Sequence, residues 1–180
     1  MIFKILLVSD EVEDFQREIA IDADATFLEL NNAILNTCHY TDDQITSFYI
    51  CNENWEQEVQ IIREEMDSIS AEDDVYLMRN TAIRDLLNDI DDKLVFVFDP
   101  LSERMFFMKV SEVITGKNLK DAQCTRSVGN APTQIVDYDD AIKGLNIDDS
   151  TIMDDDQEFY GADGYNDDEF DPEAFEIEDN

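Results

Sequence analysis

Residues 93–110 read Lys93-Leu94-Val95-Phe96-Val97-Phe98-Asp99, then Pro100-Leu101-Ser102-Glu103, then Arg104-Met105-Phe106-Phe107-Met108-Lys109-Val110. The first and last of these stretches are rich in β-branched and aromatic residues, a composition typical of strands. Pro100 occupies the second position of the turn between them, where its fixed φ favours a reversal of the chain. The sequence therefore predicts a β-hairpin with two arms of matching length.

A second hairpin is predicted at the start of the chain. The first eight residues have the apolar composition of a largely buried strand and lack the cleavage site of a signal peptide. Residues 15–21 alternate, so that Phe15, Ile19 and Ile21 share one face with Arg17. Arg17 interrupts the apolar character of that face, so the alternation alone does not determine the register of the pairing.

The next segment predicts a capped helix. Thr26 and Glu29 have the spacing of a capping box, in which each side chain accepts a hydrogen bond from the backbone N–H of the other residue. Apolar residues then follow at helical spacing: Phe27, Leu30, Ile34 and Cys38. The helix is expected to end within residues 36–39.

The remaining predicted elements are shorter. Strands are expected at residues 45–51, at about residues 58–62 and briefly at residues 75–78. A second helix is predicted at residues 81–90, with an apolar face formed by Ile83, Leu86, Leu87 and Ile90. Residues 116–134 are predicted to be mostly loop, and residues 138–145 to hold a last helical turn.

Together these elements predict an α+β fold. The order hairpin, helix, strands, helix, hairpin is typical of a mostly antiparallel sheet with helices on one face. The opening order ββαβ is similar to a β-grasp arrangement. Similarity of fold does not by itself carry a function.

An acidic tail is predicted to follow this domain. Residues 148–180 contain fifteen Asp or Glu and neither Lys nor Arg, so folding them would concentrate like charge around little apolar surface. The sequence therefore predicts a folded domain at residues 1–147 and a disordered tail at residues 148–180. The predicted partner-binding residues of the tail are Phe159, Tyr160, Tyr165, Phe170, Phe175 and Ile177.

The end of the tail has a spacing that suits docking on a partner. Phe170, Ala174 and Ile177 stand at i, i+4 and i+7, and Pro172 suits the first turn of a helix. Such a segment would fold into a groove on the partner, with its acidic residues steering it toward a basic rim. The alternative is a tail that only keeps the protein soluble.

The charge of the chain narrows its classes of partner. The formal net charge is −33, of which the tail carries −15 and residues 1–147 carry −18. This charge opposes binding to nucleic-acid phosphates and to anionic membranes, and it favours a basic protein partner. Self-repulsion also favours a monomer. With no stretch of 18 apolar residues, the sequence predicts no membrane-spanning helix.

The cysteines indicate a reducing compartment. Cys38, Cys51 and Cys124 are odd in number and widely spaced. This pattern fits reduced thiols better than a disulfide framework, so the expected location is the cytoplasm. Cys38 falls on the apolar stripe of the first helix and is expected to be a buried structural thiol.

Patterns for catalysis and ligand binding are weak. Gly116-Lys117 lacks the upstream glycine that a phosphate-binding loop requires. Cys38-His39 is not a ligand spacing of structural zinc sites. His39, the one histidine, is expected to stabilise the end of a helix. The sequence therefore predicts no metal and no cofactor.

Several stretches follow a pattern known from other proteins. They are Phe3-Lys4-Ile5-Leu6-Leu7, residues 26–30, Thr41-Asp42-Asp43-Gln44 before Ser47-Phe48-Tyr49-Ile50, residues 82–110, and Cys124 with Gly129-Asn130-Ala131-Pro132. Together they resemble the plasmid pRi ORF-three-like domain family over residues 1–140. The resemblance implies a loose association with mobile elements and no particular activity. The chain departs from the family at residues 99–102, where relatives often have Asp-Phe-Gly-Asp, and at the single Pro132.

The sequence favours a non-enzymatic interaction protein whose tail docks on a basic partner, such as one that handles nucleic acid. An enzyme of unrecognised type is one alternative, with a site near His39 and the Asp99–Arg104 turn. A structural subunit of a larger assembly is another, and an exposed apolar patch on the domain would indicate it.

Overall fold

Eight strands form one mixed sheet within residues 1–64 and 75–135, the residues that the computed structural model describes. The strands are β1 (Ile2–Ser9), β2 (Gln16–Asp22), β3 (Ser47–Cys51), β4 (Gln57–Ile62), β5 (Val75–Leu77), β6 (Lys93–Asp99), β7 (Arg104–Ile114) and β8 (Gln123–Val128). The two helices are α1 (Phe27–Cys38) and α2 (Ile83–Leu86). The strand order is β5-β4-β3-β6-β7-β1-β2-β8, and all neighbours are antiparallel except β4 and β5. The sheet is thus mainly antiparallel, and the fold is α+β-like, as predicted.

The hairpin predicted from residues 93–110 is confirmed as β6 and β7, which lie in the middle of the sheet. Their register pairs Val95 with Phe107 and Val97 with Met105. β7 continues to Ile114, beyond the predicted arm, because its last residues pair with the start of β1. The hairpin therefore joins the two halves of the sheet.

One face of the sheet carries the hydrophobic core. Alternate residues of the central strands point to this face and pack with the buried residues of both helices, among them Phe3, Ile5, Leu7, Phe27, Leu30, Ile34, Ile83, Leu94, Phe96, Phe98, Phe106, Met108 and Val110. The ring of Phe106 lies 4.9 Å from that of Phe15 and 4.7 Å from that of Phe98. Burial of these side chains is the main favourable term in folding. Both described helices contribute to this one core.

Helix α1 begins and ends as its sequence predicts. The Glu29 N–H donates to Thr26 Oγ1 at 3.3 Å, and the Thr26 N–H donates to Glu29 Oε2 at 2.8 Å. His39 ends the helix in the left-handed conformation, with φ of 58°. The predicted apolar stripe is buried, and Asn31 on the same side is buried with it, accepting from the Thr46 hydroxyl at 2.7 Å.

The second helix is much shorter than predicted. It was expected at residues 81–90, but Leu87 is already extended, with φ of −116° and ψ of 130°. The Asp92 carboxylate accepts hydrogen bonds from the backbone N–H groups of residues 88–89 at 2.7 and 2.9 Å. These N–H groups therefore bond to a side chain within the turn and do not extend the hydrogen-bond ladder of the helix. Ile90, predicted on the apolar face, is 57% exposed.

A strand lies where the sequence predicted loop. β8, within residues 116–134, pairs antiparallel with β2 at the edge of the sheet. All six of its residues are exposed, so no alternation of apolar side chains marks it in the sequence. Backbone pairing with β2 is what makes this segment a strand. The helical turn predicted at residues 138–145 lies outside the described residues, as does the predicted domain boundary at residue 147.

The opening hairpin is confirmed, but the strand after α1 pairs elsewhere. β1 and β2 pair Phe3 with Ile21 and Ile5 with Ile19, so the face predicted for β2 points into the core. The predicted order ββαβ holds. β3 pairs with β4 and β6 and does not pair with either strand of the first hairpin. Neither described helix is long and apolar enough to cross a lipid bilayer.

Candidate functional site

The face of the sheet opposite the core carries side chains in rows across β4, β3, β6 and β7. The strand registers place Ile62, Ser47, Val97 and Met105 in a first row, and Gln60, Tyr49, Val95 and Phe107 in a second. Successive residues of a strand point to opposite faces, so both rows lie on the side away from the core. The buried side chains of both described helices belong to the core side. We call the surface formed by these two rows the open face.

A groove of about 810 Å³ lies over the first row of the open face. Its floor is formed by the four residues of that row, with Tyr49 beside them. Its rim carries four acidic residues, which are Asp42, Asp43, Glu64 and Glu103. The loop before β3, the residues after β4 and the turn between β6 and β7 supply them, and these segments meet at one end of the strands. The groove thus combines an apolar floor with a negative rim, and we call it the acidic groove.

The rim of the acidic groove is negatively charged at neutral pH. Arg63 Nη2 donates to Asp42 Oδ2 at 2.8 Å, and this hydrogen bond lowers the pKa of the Asp42 carboxyl. A hydrogen bond from a neighbouring threonine hydroxyl lowers the pKa of Asp43. Within the described ranges, Asp43, Glu64 and Glu103 form no ion pair. The cation that lines the groove, Arg63, is therefore already held by Asp42.

A tryptophan packs against the open face at the end of the strands opposite the acidic rim. Trp55, the one Trp of the chain, has φ of 66° in the turn between β3 and β4. Its ring centroid lies 5.3 Å from that of Phe107, and the Lys93 Nζ lies 5.2 Å from the indole centroid. Trp55 is 37% exposed. It therefore provides an intrinsic fluorescent probe of this face.

Of the residues predicted for an alternative enzymatic site, Asp99 and Arg104 of the turn take part in structural contacts, whereas the His39 side chain does not. His39 is exposed, and its side chain makes no hydrogen bond or ion pair with the described residues. The Arg104 side chain is 10% exposed, and its guanidinium donates to both carboxylate oxygens of Glu11, at 2.9 and 2.8 Å. It also lies 3.7 Å from Asp99 and 5.0 Å from the Phe98 ring. The turn is thus held by ion pairs, and no general base is placed against His39 among these residues.

Two arginines hold residues 128–134, which we call the strap. Arg17 Nη1 donates to the carbonyl of residue 128 at 2.6 Å, and its Nη2 donates to that of residue 129 at 3.0 Å. Arg104 donates to the carbonyls of residues 133–134 at 2.6 and 3.2 Å. The Tyr40 hydroxyl donates to Pro132 O at 2.7 Å. These side chains thus supply donors to five main-chain carbonyls of the strap and determine the path of the chain after β8.

Two further contacts fix the strap. Gly129 has φ of 64°, and a Cβ there would lie 2.5 Å from the Asp14 carbonyl oxygen, so only glycine fits. The Gln134 side chain pairs with the backbone of Thr41, accepting from its N–H at 2.7 Å and donating to its carbonyl at 2.9 Å. Sequence reasoning did not predict this role for Arg17. The position of a charged residue on an otherwise apolar strand face was the feature of the sequence that could have indicated it.

The cysteines differ strongly in their surroundings. All three are free thiols; Cys38 and Cys51 are buried, and Cys124 is exposed on β8. Burial raises the pKa of Cys38 to about 12 and also raises the pKa of Cys51. The predicted buried thiol at Cys38 is therefore confirmed.

This difference predicts the order of thiol modification. Since the thiolate is the reactive form, a thiol reagent at mildly alkaline pH should modify Cys124 in a fast phase and leave Cys38 and Cys51 at least about tenfold slower. Cys124→Ser should remove the fast phase, and denaturant should make all three thiols fast. Two or more fast thiols in the native protein would contradict the burial of Cys38 and Cys51.

Comparison with known proteins gives the family of the chain. The family model of the plasmid pRiA4b ORF-3-like proteins matches residues 1–179. The chain belongs to this family. No curated protein matches the sequence. The crystal structure of the protein of unknown function MM3350 from Methanosarcina mazei Go1 is similar, with a TM-score of 0.55 and 15% sequence identity, covering 70% of this chain and 68% of that chain. At this identity the likeness shows the fold alone.

The stretches that carry the resemblance to the plasmid ORF-3-like family take part in both features described above. The aspartate-rich turn at residues 41–44 supplies two rim carboxylates of the acidic groove. Residues 129–132, with their Gly and Pro, form the middle of the strap. The family departures at residues 99–102 fall in the turn next to Arg104, which Glu11 anchors.

No cluster of three or more His, Cys, Asp or Glu within residues 1–64 and 75–135 is arranged to hold a metal ion. The tail residues predicted to bind a partner, Phe159, Tyr160, Tyr165, Phe170, Phe175 and Ile177, lie outside the described residues. The described part of this plasmid ORF-3-like protein thus offers one candidate site, the acidic groove.

Proposed function

We propose that this plasmid ORF-3-like protein is a non-enzymatic interaction module that binds a basic partner protein. The observation that carries the proposal is the acidic groove, in which an apolar floor lies next to a rim of ionised carboxylates. Burying one aliphatic side chain on such a floor contributes about 1.5–3 kcal/mol. The rim selects cationic partners and speeds their association more than it adds affinity.

The charge of the whole chain supports a basic partner over an anionic one. A net charge of −33 attracts cationic surfaces at long range and repels phosphates. Arg63 is not available for an anion, since Asp42 holds it at 2.8 Å. A protein whose basic surface normally binds nucleic acid has the complementary charge.

We further propose that the acidic tail at residues 148–180 adds contacts to the same partner. Its composition supports this role, since six aromatic or aliphatic anchors stand among fifteen acidic residues, namely Phe159, Tyr160, Tyr165, Phe170, Phe175 and Ile177. The proposal includes a tail that is disordered when free, a monomeric protein and a cytoplasmic location, which three free thiols suit.

Exposed apolar side chains next to the open face support a second candidate function, that of a structural subunit in a larger assembly. Ile45, which lines the acidic groove, is 66% exposed, and Trp55, which packs on Phe107 of the open face, is 37% exposed. Exposed apolar surface of this kind marks interaction sites. A permanent assembly would survive high salt, whereas a basic partner held through the rim would be released by it.

Capture of partners at two salt concentrations tests the proposed function. The full-length protein should retain a set of basic proteins at about 0.05 M salt and lose most of them at about 0.5 M, because the Debye length shortens severalfold. A rim variant with Asp43→Asn, Glu64→Gln and Glu103→Gln should retain at least about threefold less. A tail variant in full-length protein, with the five tail aromatics replaced by alanine, should also retain less.

The matched control carries Asp10→Asn, Glu13→Gln and Asp121→Asn, three exposed acidic residues outside the groove. It removes the same charge and should retain partners as the unmodified protein does. Equal losses in the rim variant and the control would mean that net charge alone acts. Retention of the same partners by all variants at both salt concentrations would overturn the proposal.

A further inference from the structure

We infer that the acidic groove takes an extended segment of its partner, in which Lys or Arg alternates with aliphatic residues. This inference rests on the proposed function and names the class of segment that the site recognises. It follows from the shape of the floor, the position of the rim and the polar side chains between them.

The floor of the groove crosses four neighbouring strands. Its first row runs from Ile62 on β4, over Ser47 and Val97, to Met105 on β7. Neighbouring strands lie about 4.8 Å apart, so the row is about 14 Å long, which an extended segment spans with about four residues. Alternate side chains of such a segment point the same way, so about two of them face the floor.

The floor is suited to aliphatic side chains. Ile62 and Val97 are each 7% exposed and form a closed apolar base, while Met105 is only partly buried at one end of the row. Methionine is flexible and polarisable and adapts to partners of different shape. Ser47 and the exposed amide of Gln57 offer hydrogen bonds to the backbone of an extended segment.

The rim is suited to long cationic side chains. Asp43, Glu64 and Glu103 are exposed carboxylates that stand along one side of the floor. Lys and Arg can lay their aliphatic stems on apolar surface and still place the charged group at such a rim. A segment with basic residues between its aliphatic ones can therefore pack on the floor and pair with the rim carboxylates at the same time. A purely apolar segment would only pack on the floor, and a purely basic segment would only pair with the rim.

Binding of defined peptides to full-length protein tests this inference. An eight-residue peptide of alternating Lys and Val, fluorescently labelled and kept dilute, should bind about tenfold more tightly at low salt than a block peptide of four Lys followed by four Val. The two peptides have the same composition and charge. An alternating Glu and Val peptide should show no binding.

A floor variant separates shape from charge. Met105→Glu adds negative charge and removes an apolar part of the floor, so the alternating Lys and Val peptide should bind it about tenfold more weakly. Leu101→Glu is the control, since Leu101 is 94% exposed and does not line the groove. It adds the same charge and should bind at least as tightly as the unmodified protein.

The outcomes distinguish this inference from the proposed function. Equal affinity for the alternating and block peptides, or undiminished binding by Met105→Glu, would contradict the recognition of an extended segment. The proposed binding of basic partners would be unaffected by that result. Binding of the Glu and Val peptide as tightly as the Lys and Val peptides would overturn both. Tighter binding of the alternating peptide, lost with Met105→Glu, supports both.

Discussion

Replacing Phe106 by alanine is expected to lower the free energy of unfolding by about 3–5 kcal/mol. Phe106 is fully buried on β7, and its ring is in contact with four others. Their centroids lie 4.7–6.3 Å away, and they belong to Phe15, Tyr40, Phe96 and Phe98. Removing this ring leaves a cavity that the surrounding strands and α1 cannot close completely.

Denaturant unfolding followed by circular dichroism measures this cost. Leu101→Ala is the control, since Leu101 is 94% exposed in the turn of the same hairpin and should change stability by less than about 0.5 kcal/mol. A loss below about 1.5 kcal/mol for Phe106→Ala would show that the aromatic cluster is not the centre of the core.

Replacing Arg17 by methionine is the second large change and should cost about 2–4 kcal/mol. Arg17 is 5% exposed and donates to carbonyls of the strap at 2.6 and 3.0 Å and to Gln16 O at 2.9 Å. A hydrogen bond from a charged group to a carbonyl contributes about 1.5–3 kcal/mol, and Arg17→Met removes those that Arg17 makes to the strap. Methionine keeps much of the side-chain volume over the Phe15 ring but supplies no donor.

Hydrogen exchange shows whether the cost arises in the strap. In Arg17→Met the amides of β8, which pairs with β2 just before the strap, should exchange faster, while those of β6 and β7 stay protected. Arg126→Met is the matched control, because Arg126 lies exposed on β8 and its guanidinium donates to the Gln16 side chain at 3.3 Å. Equal destabilisation by the two substitutions would contradict the role assigned to Arg17.

Sequence patterns correctly predicted the elements that are determined by residues close together in the chain. The β6–β7 hairpin follows from two strongly apolar runs around Pro100, and α1 follows from the Thr26–Glu29 capping box. Both signals act within a few residues. The structure therefore agrees with them, apart from the extra length that β7 gains by pairing with β1.

The elements that sequence reasoning missed depend on distant partners. β8 is a strand because β2 offers it a backbone edge, and its exposed side chains leave no pattern to detect. The end of α2 depends on the Asp92 carboxylate, which takes the N–H groups that a longer helix would need. Periodicity in the sequence indicates which side chains are buried. Neither the pairing of β8 with β2 nor the hydrogen bonds to Asp92 depends on the burial of a side chain.

The acidic groove could be predicted only in part. Its acidic turn at residues 41–44 is visible in the sequence, and so is the general excess of negative charge. Its floor is not, because the row from Ile62 to Met105 depends on the registers of three strand pairs. A shift of one residue in any pair would turn that strand's floor residue to the other face.

Binding of one captured basic protein to the rim variant and to its charge-matched control, at low salt, shows whether the partner binds at the acidic groove. Neutralising Asp43, Glu64 and Glu103 should weaken binding at least about threefold, while neutralising Asp10, Glu13 and Asp121 should leave the dissociation constant unchanged. Equal dissociation constants for the two variants would contradict the claim that the acidic groove is where this protein meets its partner.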